Sequence, residues 1–286
     1  MSTPTGLLAL LLCGALSACA TFDPDALAAA ARLRRQYVDT GRFVLTAFVR
    51  VSQPGKPLRV YIEGDGAAWL SRTEPAPDPT PREALGLALA AEDPAPNVVY
   101  LARPCQFTPM AMNPSCGIPY WTSKRFATEV IASMDAAVSR FAALTPGQAV
   151  ELVGYSGGGA VAVLIAARRT DVMSIRTVAG NLDSEFVNRL HGVSPMPASA
   201  DPIEFARRVA PIPQLHFSGA EDEVVPPAVA QRFVNAAGTR CARALTVAGL
   251  SHDSGWRDNW PALLAIAPTC AMTAAAPLAA SRTALP

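Results

Sequence analysis

The sequence predicts an α/β fold in which a mostly parallel sheet is covered by helices on both faces. Short apolar segments of strand length alternate with segments that are apolar at helical length, without an internal repeat or a long linker, from residue 42 to residue 270. The chain of 286 residues is also long enough for one large domain with a buried core. We therefore predict a single α/β domain at 42–270, with an insertion at about 181–213 placed to form a small cap.

Turn and capping residues indicate the limits of the first elements. Strands at 42–52 and 58–63 are joined by the sequence QPGKP, which is typical of a hairpin. The sequence Thr80-Pro81-Arg82-Glu83 predicts a helix start, because threonine caps, proline fits the first helical position and glutamate reaches back to the cap. The next buried strand is 97–102, and the helix at 123–144 has its apolar residues on one face.

The second half of the domain continues the alternation, and the two ends of the chain have a different composition. The predicted strands are 149–153, 174–179, 214–218 and 243–248, and the predicted helices are 160–167, 228–237 and 256–267. Outside the domain we predict a signal peptide at 1–18, a spacer arm with an Ala-rich helix at 19–41, and a disordered tail at 271–286.

The link between the strand at 149–153 and the helix at 160–167 reads Gly154-Tyr155-Ser156-Gly157-Gly158, which is a G-x-S-x-G sequence. Between a strand and a helix, this sequence indicates a sharp, strained turn that exposes the serine hydroxyl at the edge of the sheet. The glycines fit because such a turn brings two backbones so close that a Cβ would clash. The alternative is an ordinary Gly-rich turn, so Ser156 needs partners elsewhere in the chain.

A serine nucleophile needs an adjacent base, and the chain has only three histidines. His252 directly follows the last predicted strand, at the carboxyl edge of the sheet, and we predict that it is the base. His216 lies inside a predicted strand, where packing is its expected role. His191 lies in the insertion, where it could touch a substrate.

The base must itself be oriented by an acid. After the predicted strand at 214–218 the chain reads G-x-x-D-x-x-V-P, which places Asp222 just past the end of the strand and facing the loop of His252. The alternatives, Glu221 and Glu223, are interpreted as solvated neighbours in the same turn. We therefore predict the catalytic set Ser156, Asp222 and His252.

In this order of nucleophile, acid and base, the sequence resembles the α/β-hydrolase family over essentially the whole predicted domain. The resemblance implies an oxyanion hole of two backbone N–H groups, one from Gly157 and one from the loop after an early strand. That loop, 63–66, reads EGDG, with Glu63 where the family usually has histidine. We assign the second donor to Asp65, with Gly66 as the alternative.

The N-terminus predicts export. Residues 7–18 form an uncharged apolar run of signal-peptide length that is too short to span a bilayer comfortably. The sequence LSAC that follows resembles the bacterial lipobox, which implies that Cys19 becomes the first residue and carries acyl groups such as palmitate. The segments RPCQF, PYW, AGNLD and GVSPM also resemble bacterial lipoproteins of the α/β-hydrolase superfamily.

The lipobox resemblance implies a place in the cell. It implies the bacterial cell envelope, and Ala20 after Cys19 favours the periplasmic face of the outer membrane over retention at the inner membrane. Cleaved secretion without a lipid is the alternative.

Two cysteines belong to the signal and lipobox, and four remain in the domain: Cys105, Cys116, Cys241 and Cys270. An even set in an exported protein suggests disulfides, with three possible connectivities. We favour Cys105 with Cys116 and Cys241 with Cys270, and four buried thiols are the alternative. We expect no metal site, because no histidine is interleaved with them at ligand spacing.

The formal net charge of +1 gives no basic excess that would favour nucleic acid. We expect an exported serine hydrolase that cleaves a carboxylic ester or similar acyl bond of a small-molecule or lipid-like substrate, without metal or organic cofactor. The alternatives are a peptidase or acyltransferase with the same three residues, or a non-catalytic envelope lipoprotein.

Overall fold

The computed structural model describes residues 22–271, and an eight-stranded sheet forms its centre. The strands are β1 (Arg34–Asp39), β2 (Val44–Val51), β3 (Leu58–Ile62), β4 (Asn97–Leu101), β5 (Val150–Tyr155), β6 (Val172–Val178), β7 (Gln214–Gly219) and β8 (Ala242–Val247). Their order is β1-β2-β4-β3-β5-β6-β7-β8. β2 is antiparallel to both β1 and β4, and all the other neighbouring strands are parallel. The predicted α/β fold is confirmed.

Helices cover both faces of this sheet. The α-helices of the described residues are α1 (Pro24–Ala30), α2 (Leu85–Ala91), α3 (Thr128–Ala142), α4 (Gly157–Ala166), α5 (Ser184–Leu190), α6 (Ala228–Ala237) and α7 (Trp256–Leu264). Short 3-10 helices lie at Met110–Met112, Ile118–Trp121 and Pro202–Phe205. Between residues 22 and 271, no helix is long and apolar enough to cross a membrane.

The hydrophobic core is divided into two layers by the sheet. In β2, Leu45 and Ala47 pack with α3, α4 and α6 on one face, whereas Phe48 packs with α1, α2 and α7 on the other. This follows from the period of two along a strand. All residues of α4 are buried, because the sheet, α3 and the 3-10 helix Pro202–Phe205 surround it. The helix that follows Ser156 is therefore fixed deep in the domain.

The predicted spacer arm is wrong for the described part of 19–41, since these residues belong to the domain. β1 pairs with β2 along its whole length, and Ala28 and Leu33 are buried. Arg35 forms an ion pair with Asp25 at 2.7 Å and lies over the ring of Phe48. The sequence does not predict this strand, because an edge strand needs few apolar residues and β1 has one buried side chain.

Two further local predictions are wrong. β2 and β3 do not form a hairpin, because the fully buried β4 lies between them. Thr80 does not cap a helix: its hydroxyl accepts a hydrogen bond from the N–H of Phe107 at 2.9 Å, and α2 begins only at Leu85. The long helix after β4 likewise begins at Thr128, later than predicted. For the hairpin and for Thr80, a contact distant in sequence replaced the local one.

The cysteines of the domain form two disulfides in the favoured pairing, Cys105 with Cys116 and Cys241 with Cys270. The first bridge closes the loop between β4 and α3, and the second ties the start of β8 to the end of the described chain. The predicted signal peptide, Cys19 and the tail from 272 onward lie outside the described residues.

Candidate active site

Ser156 lies on the strained turn that the sequence predicts. Its φ of 49° and ψ of −119° are unusual for a residue with a side chain, and it separates the end of β5 from the start of α4. A Cβ on Gly154 would lie 2.2 Å from the carbonyl oxygen of Gly158, and a Cβ on Gly158 would lie 2.2 Å from that of Ile62. Only glycine therefore permits this approach of the backbones.

The three residues predicted to act together form one hydrogen-bonded chain. The Nε2 atom of His252 lies 3.0 Å from the Oγ of Ser156. Its Nδ1 atom lies 2.9 Å from Oδ2 and 3.1 Å from Oδ1 of Asp222. In this geometry the carboxylate accepts a hydrogen bond from Nδ1–H, which leaves Nε2 free to accept the serine proton.

The acid loop, residues 220–226, holds Asp222 rigidly. Its Oδ1 atom accepts hydrogen bonds from the N–H groups of Val224 at 2.9 Å and Val225 at 2.7 Å, and its side chain is fully buried. The neighbouring histidine loop, residues 249–255, approaches closely, since a Cβ on Gly219 would lie 2.2 Å from the carbonyl oxygen of Leu250. The end of β7 thus brings the acid to the base.

The side chain of a tryptophan holds the backbone of the histidine loop by two hydrogen bonds. The buried Trp256 donates from Nε1 to the carbonyl oxygens of Ser251 at 2.9 Å and His252 at 3.1 Å. The His252 ring also packs against Tyr155, whose ring centroid lies 5.6 Å away. Burial raises the pKa of the Tyr155 hydroxyl, so this neighbour stays neutral at physiological pH.

The other two histidines lie outside the hydrogen-bonded chain. His216 is fully buried in β7 against Phe233, with Nδ1 3.0 Å from the Thr177 hydroxyl, and burial lowers its pKa to about 3. It packs as a neutral ring, as predicted. His191 lies in the insertion at 181–213, with Nε2 2.8 Å from the carbonyl oxygen of Val224. It therefore contacts the acid loop.

The loop at residues 63–66, which we call the oxyanion loop after its predicted role, is held by side chains from both sides. Glu63 is buried, and its Oε1 accepts from the N–H groups of Gly64 at 2.9 Å and Gly86 at 3.2 Å. Its Oε2 accepts from the hydroxyl of Tyr100 at 3.0 Å, while burial raises its pKa. From the other side, Nε2 of Gln106 donates to the carbonyl oxygen of Gly64 at 3.0 Å. Glu63, the departure from the family pattern, is thus an anchor of this loop.

Both predicted oxyanion donors are backbone N–H groups without a helical or strand partner. Gly157 is the first residue of α4, where N–H groups lack an acceptor within the helix. The N–H of Asp65 donates to no acceptor among residues 22–271. The assignment of the hole to Gly157 and Asp65, with Gly66 as the alternative, stays a prediction.

The carboxylate of Asp65 lies against Gly157, where a Cβ would be 2.1 Å from its Oδ1 atom. Two arginines neutralise it: Arg103 at 3.1 Å and Arg125 at 3.4 Å. These ion pairs offset the negative charge that Asp65 brings next to the predicted oxyanion hole. Sequence reasoning missed both arginines and Gln106. The available signal for Arg103 and Gln106 was the polar RPCQF segment, which begins two residues after the end of β4, and Arg125 had no such signal.

The candidate site opens into a cleft of about 1120 Å³ at the carboxyl edge of the sheet. Ser156, His252 and Arg125 line it, together with the apolar Trp69. Phe22, at the start of the described chain, lines it as well, so the N-terminal segment contributes a wall of the cleft. Within the part of the chain that the structure describes, no three His, Cys, Asp or Glu side chains are grouped to hold a metal ion.

The sequence matches no protein-family model and no curated protein, but many solved structures are similar to this one. Est1E from Butyrivibrio proteoclasticus superposes with a TM-score of 0.54 at 14% identity, covering 81% of this chain and 98% of its own. E-2-(acetamidomethylene)succinate hydrolase superposes with a TM-score of 0.54 at 14% identity, covering 82% and 98%. The acylaminoacyl peptidase of Pyrococcus horikoshii has a TM-score of 0.56 at 11% identity, covering 80% of this chain and 39% of its own.

Proposed function

This chain has the α/β-hydrolase fold, and we propose that it is an exported serine hydrolase that cleaves a carboxylic ester or similar acyl bond. One observation carries the proposal: the hydroxyl of a strained elbow serine, Ser156, is hydrogen-bonded to His252, which is itself oriented by the buried Asp222. The hydrolases and the peptidase among the similar structures support the same class of reaction.

The reaction proceeds through an acyl-serine. His252 accepts the proton of Ser156 as Oγ attacks the substrate carbonyl, and the oxyanion that forms accepts hydrogen bonds from the N–H groups of Gly157 and Asp65. The imidazolium, stabilised by Asp222, then gives the proton to the leaving alkoxide as the carbon–oxygen bond breaks. Water repeats the sequence: His252 takes its proton, the hydroxide attacks the acyl-serine, and Oγ leaves with the proton from His252.

The cleft favours an ester with a sizeable acyl or alcohol group. Its volume of about 1120 Å³ exceeds what a short acetyl ester needs, and Phe22, Trp69 and Leu85 give it apolar walls. A small-molecule or lipid-like acyl substrate fits these walls. Partitioning of the acyl-serine between water and an added alcohol or amine tests the acyltransferase alternative.

The function is tested by labelling with a fluorophosphonate and by hydrolysis of p-nitrophenyl esters of increasing chain length. Ser156→Ala should abolish both, because only an activated serine reacts at a useful rate. Ser123→Ala, at an exposed serine distant in sequence, is the matched control and should label like the wild type. Equal labelling of Ser156→Ala would place the nucleophile elsewhere.

The site of action belongs to the same proposal: acylation of Cys19 would hold the enzyme at the periplasmic face of the bacterial outer membrane. Phe22 lines the cleft only three residues after Cys19, a reach of at most roughly 11 Å. The cleft would then open close to the lipid surface. Fractionation of wild type and Cys19→Ala after labelling with a fatty acid tests this, and label that persists in Cys19→Ala would contradict it.

A further inference from the structure

Arg125 presents unused hydrogen-bond donors inside the active-site cleft. It lines the cleft with Ser156, and its side chain is 14% exposed. Its shortest approach to a protein carboxylate is 3.4 Å, from Nε to Oδ2 of Asp65. Its two terminal nitrogens donate to no acceptor among residues 22–271. The end of the guanidinium is therefore available to a ligand.

Three neighbours, Phe126, Arg103 and Asp65, contact Arg125 at the cleft. Arg125 and Arg103 both lie by the ring of Phe126, with their Cζ atoms 5.4 and 5.3 Å from its centroid. The backbone carbonyl of Arg125 accepts a hydrogen bond from Arg103. Asp65, which pairs with both arginines, lies against Gly157, the residue after the nucleophile. A single carboxylate thus separates Arg125 from the predicted oxyanion hole.

The cluster of Arg103, Arg125 and Asp65 has two positive charges and one negative charge. Arg103 and Arg125 share the one carboxylate of Asp65, and Arg103 is buried, with 5% of its side chain exposed. The other acidic residues that line the cleft are Glu63, Glu83 and Asp253, and none of them forms an ion pair with Arg125. Glu63 is instead occupied by two backbone N–H groups and Tyr100.

The two other arginines of the cleft are different. Arg257 is paired with Glu92 at 2.8 Å, and Arg82 is exposed to solvent. Arg125 is a partly desolvated cation with free donors, and an anionic ligand would offset the cost of that desolvation. Guanidinium groups bind carboxylates through two parallel hydrogen bonds.

We propose that Arg125 binds a carboxylate of the substrate, so that the preferred substrates are esters that carry a second, anionic group near the scissile bond. This inference rests on the proposed hydrolase function. Arg125 is the specificity-determining residue, and Arg103 and Asp65 are positioning residues that hold it.

The test compares matched charged and neutral esters. The first pair varies the acyl side: the p-nitrophenyl half-ester of glutaric acid against p-nitrophenyl 5-oxohexanoate, in which a methyl ketone replaces the carboxylate. The second pair varies the leaving group: 4-carboxyphenyl butyrate against 4-acetylphenyl butyrate. Wild type should prefer the charged member of at least one pair by kcat/KM, and the preferred pair identifies the side on which the carboxylate lies.

Arg125→Gln should lower that charged-to-neutral ratio by about tenfold to a hundredfold, the loss expected for hydrogen bonds to a charged group. Arg125→Lys keeps the charge but lacks the two parallel donors of the guanidinium, so its charged-to-neutral ratio should lie between those of the wild type and Arg125→Gln. Arg82→Gln is the matched control, and its ratio should stay at the wild-type value. Absence of preference in both pairs, an equal loss for both members in Arg125→Gln, or an equal fall in Arg82→Gln would overturn the inference.

A binding measurement keeps the inference separate from catalysis. Glutarate should bind to Ser156→Ala by calorimetry and bind at least tenfold more weakly when Arg125→Gln is added, with the melting temperature reporting that both variants are folded. Equal glutarate binding by the two variants overturns the role of Arg125. Failure of wild type to label or to hydrolyse any ester overturns the proposed function instead.

Discussion

The two sides of the candidate active site are held by different kinds of interaction. On the acid–base side, backbone N–H groups of the acid loop bind Asp222, and Trp256 binds the backbone of the histidine loop. On the opposite side, the oxyanion loop is held by the side chains of Glu63 and Gln106. The hydrogen bonds on the first side use backbone groups of the acid and histidine loops, whereas those on the second side depend on two individual polar side chains. Substitutions should therefore affect the two sides differently.

The largest effect should come from the acid–base side. Asp222→Asn leaves the backbone hydrogen bonds of the acid loop nearly intact but favours the wrong tautomer of His252, so kcat should fall by about 10⁴ with little change in melting temperature. Glu223→Gln, one residue away and exposed, is the matched control. Comparable damage in the control, with Asp222→Asn nearly silent, would reverse the assignment of the acid.

An intermediate effect should come from the oxyanion loop. Glu63→Gln keeps one oxygen that can accept from Gly64 and Gly86, but it replaces the oxygen that accepts from Tyr100 with an NH2 donor and removes the carboxylate charge. The hydrogen bonds that hold the loop should therefore weaken, and kcat should fall about tenfold to a hundredfold, with KM changing less. The rate of fluorophosphonate labelling should fall in parallel. Glu83→Gln, an exposed carboxylate that lines the same cleft, should retain the wild-type rate. A variant Glu63→Gln with wild-type kcat would show that Glu63 does not position the loop.

The smallest effect concerns the stability of the fold and depends on His216, which lies in β7, the strand that precedes the acid loop. The pKa of His216 is lowered to about 3 in the folded protein, against about 6.5 when unfolded, so the unfolded state binds more protons between these values. Its contribution to stability is present above about pH 6.5 and is lost as pH falls toward 3. His216→Gln should reduce the pH dependence of the free energy of unfolding by up to about 1.4 kcal/mol per pH unit, the value for one proton. Urea unfolding at several pH values between 7 and 4 measures this dependence. An equal pH dependence of the unfolding free energy in the wild type and in His216→Gln would contradict the burial of a neutral ring.

Several features of the site were predictable because their signals are local. The glycines that the strained turn requires lie within five consecutive residues around Ser156. Asp222 and His252 each lie just past the end of a strand. The sequence left three cysteine connectivities open, and the structure has the favoured one. These patterns place each group at the carboxyl edge of a parallel sheet, whatever the details of packing.

Other features had no local signal. The strand β1 has one buried side chain, so its sequence does not alternate, and it exists because β2 offers an open edge. Glu63 holds Gly86, which is 23 residues away, and Asp65 meets Arg103 after 38. Phe22 lines the same cleft as Ser156. Pairs so distant in sequence have no periodicity that relates them.

The sequence alone determined the α/β fold class, the strained turn at Ser156 and the order in which acid and base follow it. Steric limits on the backbone and the alternation of apolar residues act over short distances, so they can be read from consecutive residues. Only the tertiary structure decided that Glu63 anchors the oxyanion loop, that the N-terminal segment forms a wall of the cleft, and that Arg125 keeps free donors in the same cleft as Ser156. Side-chain electrostatics depends on which charges the fold brings within a few ångströms, and that is set by the packing of the whole domain.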